Sequence, residues 1–155
     1  MKCFYSFLLV FLVCFSINGQ EPESDLIFGF PQLSFKPSKK LVHHPPIPFF
    51  KNRLFNLELF VDFPSDSLEK TSLFLRTNKM KQFQEKMLKI KKGLYSFEFN
   101  PMSFPGDSLE YFFYVETKSS GYYALPLDSD GRIKPLKQKF ADPVVYYKQR
   151  RALNK

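Results

Sequence analysis

Leu109-Glu110-Tyr111-Phe112-Phe113-Tyr114-Val115-Glu116-Thr117 decides the class of the fold. Leu109, Tyr111, Phe113 and Val115 alternate with the other residues, so a strand puts all four on one face. Glu110 and Glu116 mark the opposite face as polar at its ends. Phe112 and Tyr114 share that second face, which predicts that part of it is covered. β-branched and aromatic residues favour a pleated, half-buried surface. The same bias runs through the chain, with 18% aromatic residues, 20 Phe and 8 Tyr but no Trp. Twelve prolines spread along 155 residues argue against long helices.

Working outward, the period of two recurs. Phe55, Leu57, Leu59, Val61 and Phe63 alternate with Asn56, Glu58 and Asp62, which predicts a strand over Leu54–Phe63. Pro64-Ser65-Asp66-Ser67 reads as a turn. Thr71, Leu73 and Leu75 oppose Ser72 and Arg76 in a strand over Leu68–Thr77. Tyr95, Phe97 and Phe99 oppose Ser96 and Glu98 over Leu94–Asn100, after a Lys91-Lys92-Gly93 turn. Ser119-Ser120-Gly121 turns the chain into a strand over Tyr122–Leu127. Leu41–Pro48 holds three prolines and reads as an edge segment. Val144-Val145-Tyr146-Tyr147 reads as a last strand, followed by a basic tail of Lys148-Gln149-Arg150-Arg151 and Lys155. Short strands with polar turns between them spell an all-β antiparallel sandwich.

One segment reads two ways. Met80, Phe83, Met87 and Ile90 fall at helical spacing, and Lys79, Lys81, Lys86, Lys89, Lys91 and Lys92 fill the rest. Alone, this is a basic amphipathic helix suited to an anionic membrane surface. Between two strands, Gln82–Met87 is equally a charged edge strand, because lysines on an edge block strand-to-strand aggregation. The strand is the favoured reading, and the helix stays open.

Leu73-Phe74-Leu75-Arg76-Thr77, then Phe83-Gln84-Glu85 and Met87, then Gly93-Leu94-Tyr95-Ser96-Phe97, then Leu109–Val115 resemble, in that order, the Ig-like (early-set, fibronectin-III-like) domains of exported bacterial proteins. His43-His44-Pro45-Pro46 is similar to their entry segment. The likeness covers Leu41–Leu127. It implies an Ig-like β-sandwich of about seven strands that serves as a spacer, adhesion or binding unit. It carries over no catalytic residue.

The N-terminus supplies the address. Met1-Lys2 is a short positive start, an apolar run follows from Cys3 to Phe15, and Ser16-Ile17-Asn18-Gly19 is small and polar. This is the layout of a secretory signal peptide over residues 1–19. The apolar run is shorter than the ~20 residues that span a bilayer. Gln20–Lys40 then reads as a linker, 41–127 as the sandwich and 128–155 as an irregular basic extension. Both cysteines, Cys3 and Cys14, lie in the signal segment. The rest of the chain therefore has no thiol for a disulfide, a nucleophile or a zinc-thiolate site. Leu12 and Val13 stand where a lipobox requires small residues, so Cys14 is not expected to be lipidated.

The chain carries +8. Solubility alone explains such a charge. An exported basic protein that uses it meets anionic lipid, lipopolysaccharide or acidic glycan rather than nucleic acid.

Other constellations read as structure. Neighbouring His43 and His44 on a strand point to opposite faces and chelate poorly as a pair. Asp128-Ser129-Asp130-Gly131 begins like a calcium loop, but Arg132–Lys139 holds no acidic residue to complete it. No nucleophile elbow or phosphate-binding glycine loop is present. These readings predict no catalytic residue, no metal and no cofactor. The candidates for binding are surface cations and aromatics: Lys79, Lys81, Lys86, Lys89, Lys91, Lys92, Tyr122, Tyr123, Tyr146, Tyr147, Arg150 and Arg151. The expectation is an exported, non-catalytic Ig-like module that acts by contact with an envelope or surface protein. The alternatives are a binder of anionic envelope ligands (lipid A, acidic glycan or a membrane surface), and a small enzyme whose site no motif reveals.

Overall fold

Alternating side chains become two antiparallel sheets with one apolar filling. A computed structural model gives the fold of Phe35 and residues 37–119 and 121–153, all within one contact unit, Gln32–Lys155. The strands are β1 Leu41–Val42, β2 Phe55–Val61, β3 Leu68–Thr77, β4 Gln84–Met87, β5 Lys89–Lys91, β6 Leu94–Phe99, β7 Ser108–Thr117, β8 Gly121–Leu125 and β9 Leu136–Lys139. Among the described residues one α-helix, α1 Pro143–Leu153, follows them, and a 3-10 turn at Ser65–Ser67 joins β2 to β3. The signal segment and most of the expected linker lie outside the described residues.

One sheet runs β1-β2-β6-β5 and the other β4-β3-β7-β8, with β9 also paired to β7. Phe55, Leu57 and Leu59 of β2 pair with Phe99, Phe97 and Tyr95 of β6. β3 and β7 pair along their whole length, from Leu68 opposite Thr117 to Thr77 opposite Leu109. Leu57, Leu59 and Phe99 from the first sheet meet Leu73, Leu75, Leu109, Tyr111, Phe113 and Val115 from the second in one buried cluster. These are the residues that the period of two turns inward. Each large side chain so buried contributes about 1.5–3 kcal/mol.

The ambiguous lysine segment is two strands. β4 pairs with β3, Leu75 opposite Gln84 and Ser72 opposite Met87. Leu88 then donates its amide to the Thr71 carbonyl at 3.1 Å, and β5 pairs with β6 in the other sheet. The chain changes sheets across this one half-buried leucine. As strands the segment satisfies its own backbone and also caps two open sheet edges, whereas a helix would bond only to itself and leave those edge groups unpaired. Met87 and Ile90, half of the expected helical stripe, are exposed.

The extension after Leu127 holds a strand: β9 pairs Leu136–Lys139 with Tyr111–Ser108, and Phe140 joins the core. One expectation at the C-terminus is corrected. Val144–Tyr147 is helix, not a last strand. The reason is Asp142-Pro143. Asp142 Oδ1 accepts the amides of Val144 at 2.8 Å and Val145 at 3.3 Å, and its carbonyl accepts that of Tyr146 at 2.9 Å. Pro143 fits the first helical turn, where no amide is needed. Cap and proline together outweigh the strand preference of two valines and two tyrosines. Lys148–Arg151 then continues the helix and places cations near its negative end.

Candidate binding site

The loop before β2 and the start of α1 are built on each other. Phe50 and Ala141 form a parallel bridge, with Ala141 N donating to Phe49 O at 2.6 Å and Lys51 N to Ala141 O at 2.9 Å. The Phe50 ring stacks on Tyr147 at 5.8 Å and meets Tyr146 edge-on at 5.4 Å. The Arg53 guanidinium lies 5.0 Å from the Phe50 ring centre, within the range of a cation–π contact. This stack holds Arg53 beside the helix. Between them runs an open groove of about 480 Å³ lined by Arg53, Pro143, Val144, Tyr147, Lys148 and Arg151.

Of the residues expected to bind, Tyr147 and Arg151 are brought together here. Tyr146 is half-buried against Phe50, and Arg150 is exposed on the helix. The lysines do not form one row. Lys79 and Lys81 lie in the turn after β3, Lys86 in β4, Lys89 and Lys91 in β5, and Lys92 in the turn before β6, where its φ is 53°. Lys86 is half-buried, with its ammonium 5.6 Å from the Phe104 ring centre. Tyr122 is exposed and stacks on Tyr114 at 6.2 Å, while Tyr123 turns inward onto Phe63 at 4.9 Å. The pair thus takes opposite faces of β8, as a strand requires.

The outer face of the second sheet is not a bare aromatic surface. Phe74 stacks on Phe112 at 4.9 Å with rings 4° from parallel, and Phe83 meets Phe112 at 5.5 Å. Arg76 lies 4.5 Å from the Phe83 ring centre, and Phe35 packs edge-on to Tyr114 at 6.4 Å. Phe112 is wholly buried and Tyr114 nearly so. Phe60 is exposed on the other sheet and takes no part. Arg76 and Lys137 both pair with Glu110, at 2.7 and 2.8 Å. Desolvation pushes the Glu110 carboxyl up, but the hydrogen bonds and charges of Lys137 and Arg76 outweigh it and hold the group below the usual carboxylate range. That carboxylate ties β3 and β9 to β7.

His43 is a structural group. Its Nδ1 is 2.6 Å from the Glu58 carbonyl and its Nε2 2.8 Å from the Tyr111 hydroxyl. Burial lowers its pKa, against the pull of the Glu58 carbonyl. Asp128 organises the stretch that began like a calcium loop as a turn, its Oδ1 accepting the amides of Asp130 at 2.9 Å and Arg132 at 2.8 Å.

The sequence reading missed Arg53, Pro143 and Val144 as lining, and took Lys148 only as part of a tail. Val144, Tyr147, Lys148 and Arg151 do carry a helical spacing, which the strand reading hid. Nothing local marks Arg53: its partner Phe50 is only three residues away, and it is the long-range Phe50–Tyr147 stack that brings the pair beside α1.

No family model matches the chain, and no curated protein matches it. Seven solved chains match. One is the endo-beta-1,4-mannanase from Thermotoga petrophila, 14% identical, with a TM-score of 0.44 over 66% of this chain and 20% of the mannanase chain. This chain thus spans about a fifth of that enzyme's length. A likeness of this size assigns neither a family nor an activity.

Proposed function

We propose that this chain is an exported, non-catalytic Ig-like module that acts by protein–protein contact, in the cell envelope or at the cell surface. The strand order supports the Ig-like part. Lettered in sequence from A, with β4 as C′, the sheets read A-B-E-D and C′-C-F-G, the connectivity of such sandwiches. The signal-like residues 1–19 support export. The observation that carries the contact function is α1: it buries no residue, yet Val144 is 77% exposed, Val145 51% and Leu153 86%. Other exposed apolar residues are scattered over strands and loops, but four of the twelve among the described residues fall within this one short helix, a local density that supports an interaction surface.

Chemical cross-linking in an envelope extract tests this reading. A discrete cross-linked partner that Val145→Asp abolishes is the expected result. A partner retained unchanged by that variant counts against contact through α1, and protein that accumulates with residues 1–19 intact counts against export.

The groove favours a second reading, the binder of anionic envelope ligands. Three of its six lining residues are cations and none is a carboxylate.

A further inference from the structure

Arg53, Lys148 and Arg151 rim a groove whose remaining wall is Pro143, Val144 and Tyr147. The helix contributes its side at steps of one, three, one and three residues, which is one face. Among the described residues the ion pairs are Lys51–Asp107, Lys70–Glu85, Arg76–Glu110 and Lys137–Glu110. None uses the three rim cations. The nearby Asp142 carboxylate is taken up by the Val144 and Val145 amides. Like charges gathered without an ion-pair partner repel one another, and an anion placed between them relieves that cost. Arg53 is held by the Phe50–Tyr147 stack rather than by a carboxylate, so its donors remain available to a ligand.

We propose that this groove binds a small amphiphilic anion. A carboxylate or phosphate head sits between Arg53, Lys148 and Arg151, and an apolar tail lies over Val144 and Tyr147. Guanidinium groups match both heads in geometry. A compact anion would leave the 77% exposed Val144 in water, and a neutral amphiphile would leave the cations uncompensated. The volume of about 480 Å³ falls in the range of small-ligand sites. The proposal goes beyond contact with a partner protein. It rests on the anionic-ligand reading and narrows it to one place and one kind of ligand.

The test is a nuclear magnetic resonance titration of the purified protein with octanoate, octyl phosphate, inorganic phosphate and octanol. The two amphiphilic anions should shift the amides of Arg53, Val144, Tyr147 and Arg151, and should bind more weakly at high ionic strength. Octanol and inorganic phosphate should bind at least roughly fivefold more weakly. R53Q and R151Q should each weaken octanoate roughly two- to fivefold, the size of one partly exposed charge contact. Phosphatidylglycerol vesicles then identify the source of the head group. Vesicles that displace octanoate support a membrane lipid, and vesicles that do not support a free amphiphile; both outcomes support the site. Octanol binding as well as octanoate, or unchanged affinity in both variants, overturns it. Salt-sensitive vesicle binding that survives R53Q and R151Q but is lost when Lys89, Lys91 and Lys92 become serine also overturns the groove, while the anionic-ligand reading stands on β5. Failure of every anion and vesicle overturns both.

Discussion

His43 should make the fold sensitive to mild acid, and the geometry sets the sign and the size. A carbonyl oxygen only accepts, so the 2.6 Å contact with Glu58 O places the proton on Nδ1. The neutral ring then has an acceptor at Nε2, and the Tyr111 hydroxyl, 2.8 Å away, donates to it. Tyr111 is wholly buried, and burial raises its own pKa well above the usual tyrosine value, so it stays a neutral donor. Protonating His43 makes both nitrogens donors. Tyr111 must then turn, and its proton points among buried rings such as Phe113, 5.9 Å away. An unpaired buried donor costs about 1–3 kcal/mol. The unfolded chain binds this proton at the ordinary value of 6.5, and the native chain only at lower pH. Between those values the unfolded state holds more protons, so stability rises with pH. His43 therefore contributes its full stability above 6.5 and loses it as pH falls through the window below, at no more than about 1.4 kcal/mol per pH unit. Urea unfolding of the native sequence and of His43→Phe, between about pH 7.5 and 5.5, should show the slope in the first and a nearly flat line in the second. His43→Phe should also lose about 1–3 kcal/mol at neutral pH, because Tyr111 is left unpaired. Tyr111→Phe should raise the His43 titration midpoint, since it removes the donor that favours the neutral ring. Equal slopes with and without His43, or a midpoint unmoved by Tyr111→Phe, would refute the argument.

Three other perturbations, one substitution and two truncations, separate the parts that hold the fold from those that do not. Gly106 has a φ of +154°, and a Cβ there would lie 2.7 Å from both Asn78 Oδ1 and Thr77 Cβ. Asn78 Oδ1 accepts the Asp107 amide at 2.8 Å and Thr77 donates its hydroxyl to Pro105 O at 2.6 Å, so neither neighbour yields freely. Gly106→Ala should therefore cost about 1–3 kcal/mol, read as a lower urea midpoint with unchanged slope. Ending the chain after Asp142 removes α1, none of whose residues is fully buried and whose packing on the rest of the fold is through Tyr146 and Tyr147 on Phe50, and should change stability by about 1 kcal/mol. Ending it after Asp130 also removes β9 and Phe140, and should abolish the cooperative transition. A large loss in the first truncation would show that α1 is part of the fold.

Local pattern told most where one face alone is buried. β2 and the inner face of β7 were legible because a period of two leaves one consistent choice of face. The covered outer face of β7 was legible too, since Phe112 and Tyr114 break the polar half of the alternation. Lys79–Lys92 was ambiguous because its apolar residues fit either period, and the deciding term is the two sheet edges that receive it. Val144–Tyr147 has the side chains of a strand, and the Asp142 cap with Pro143 overrides that preference. The groove beside α1 was hidden for a deeper reason. Its two halves lie far apart in sequence and meet through the Phe50–Ala141 bridge and the packing of Phe50 on Tyr146 and Tyr147.

The burial of β7 on both sides also decides where contact is to be sought. An aromatic-rich chain suggests a sticky sheet face, and Tyr122 with Tyr123 marked where to look. Tyr123 belongs to the core cluster, and Tyr122 lies on Tyr114. Phe74, Phe83 and Phe112 pack on one another. These rings stabilise the sheet by burial and stacking and are committed to it. α1 is different, because its apolar side chains contribute nothing to the core that β2, β3, β6 and β7 already fill. An element that adds little to stability, yet is capped by Asp142 and aligned by Phe50, has its form fixed and its surface left over. That combination is what recognition of a partner or ligand requires, because a preformed surface does not pay the ordering cost when it binds.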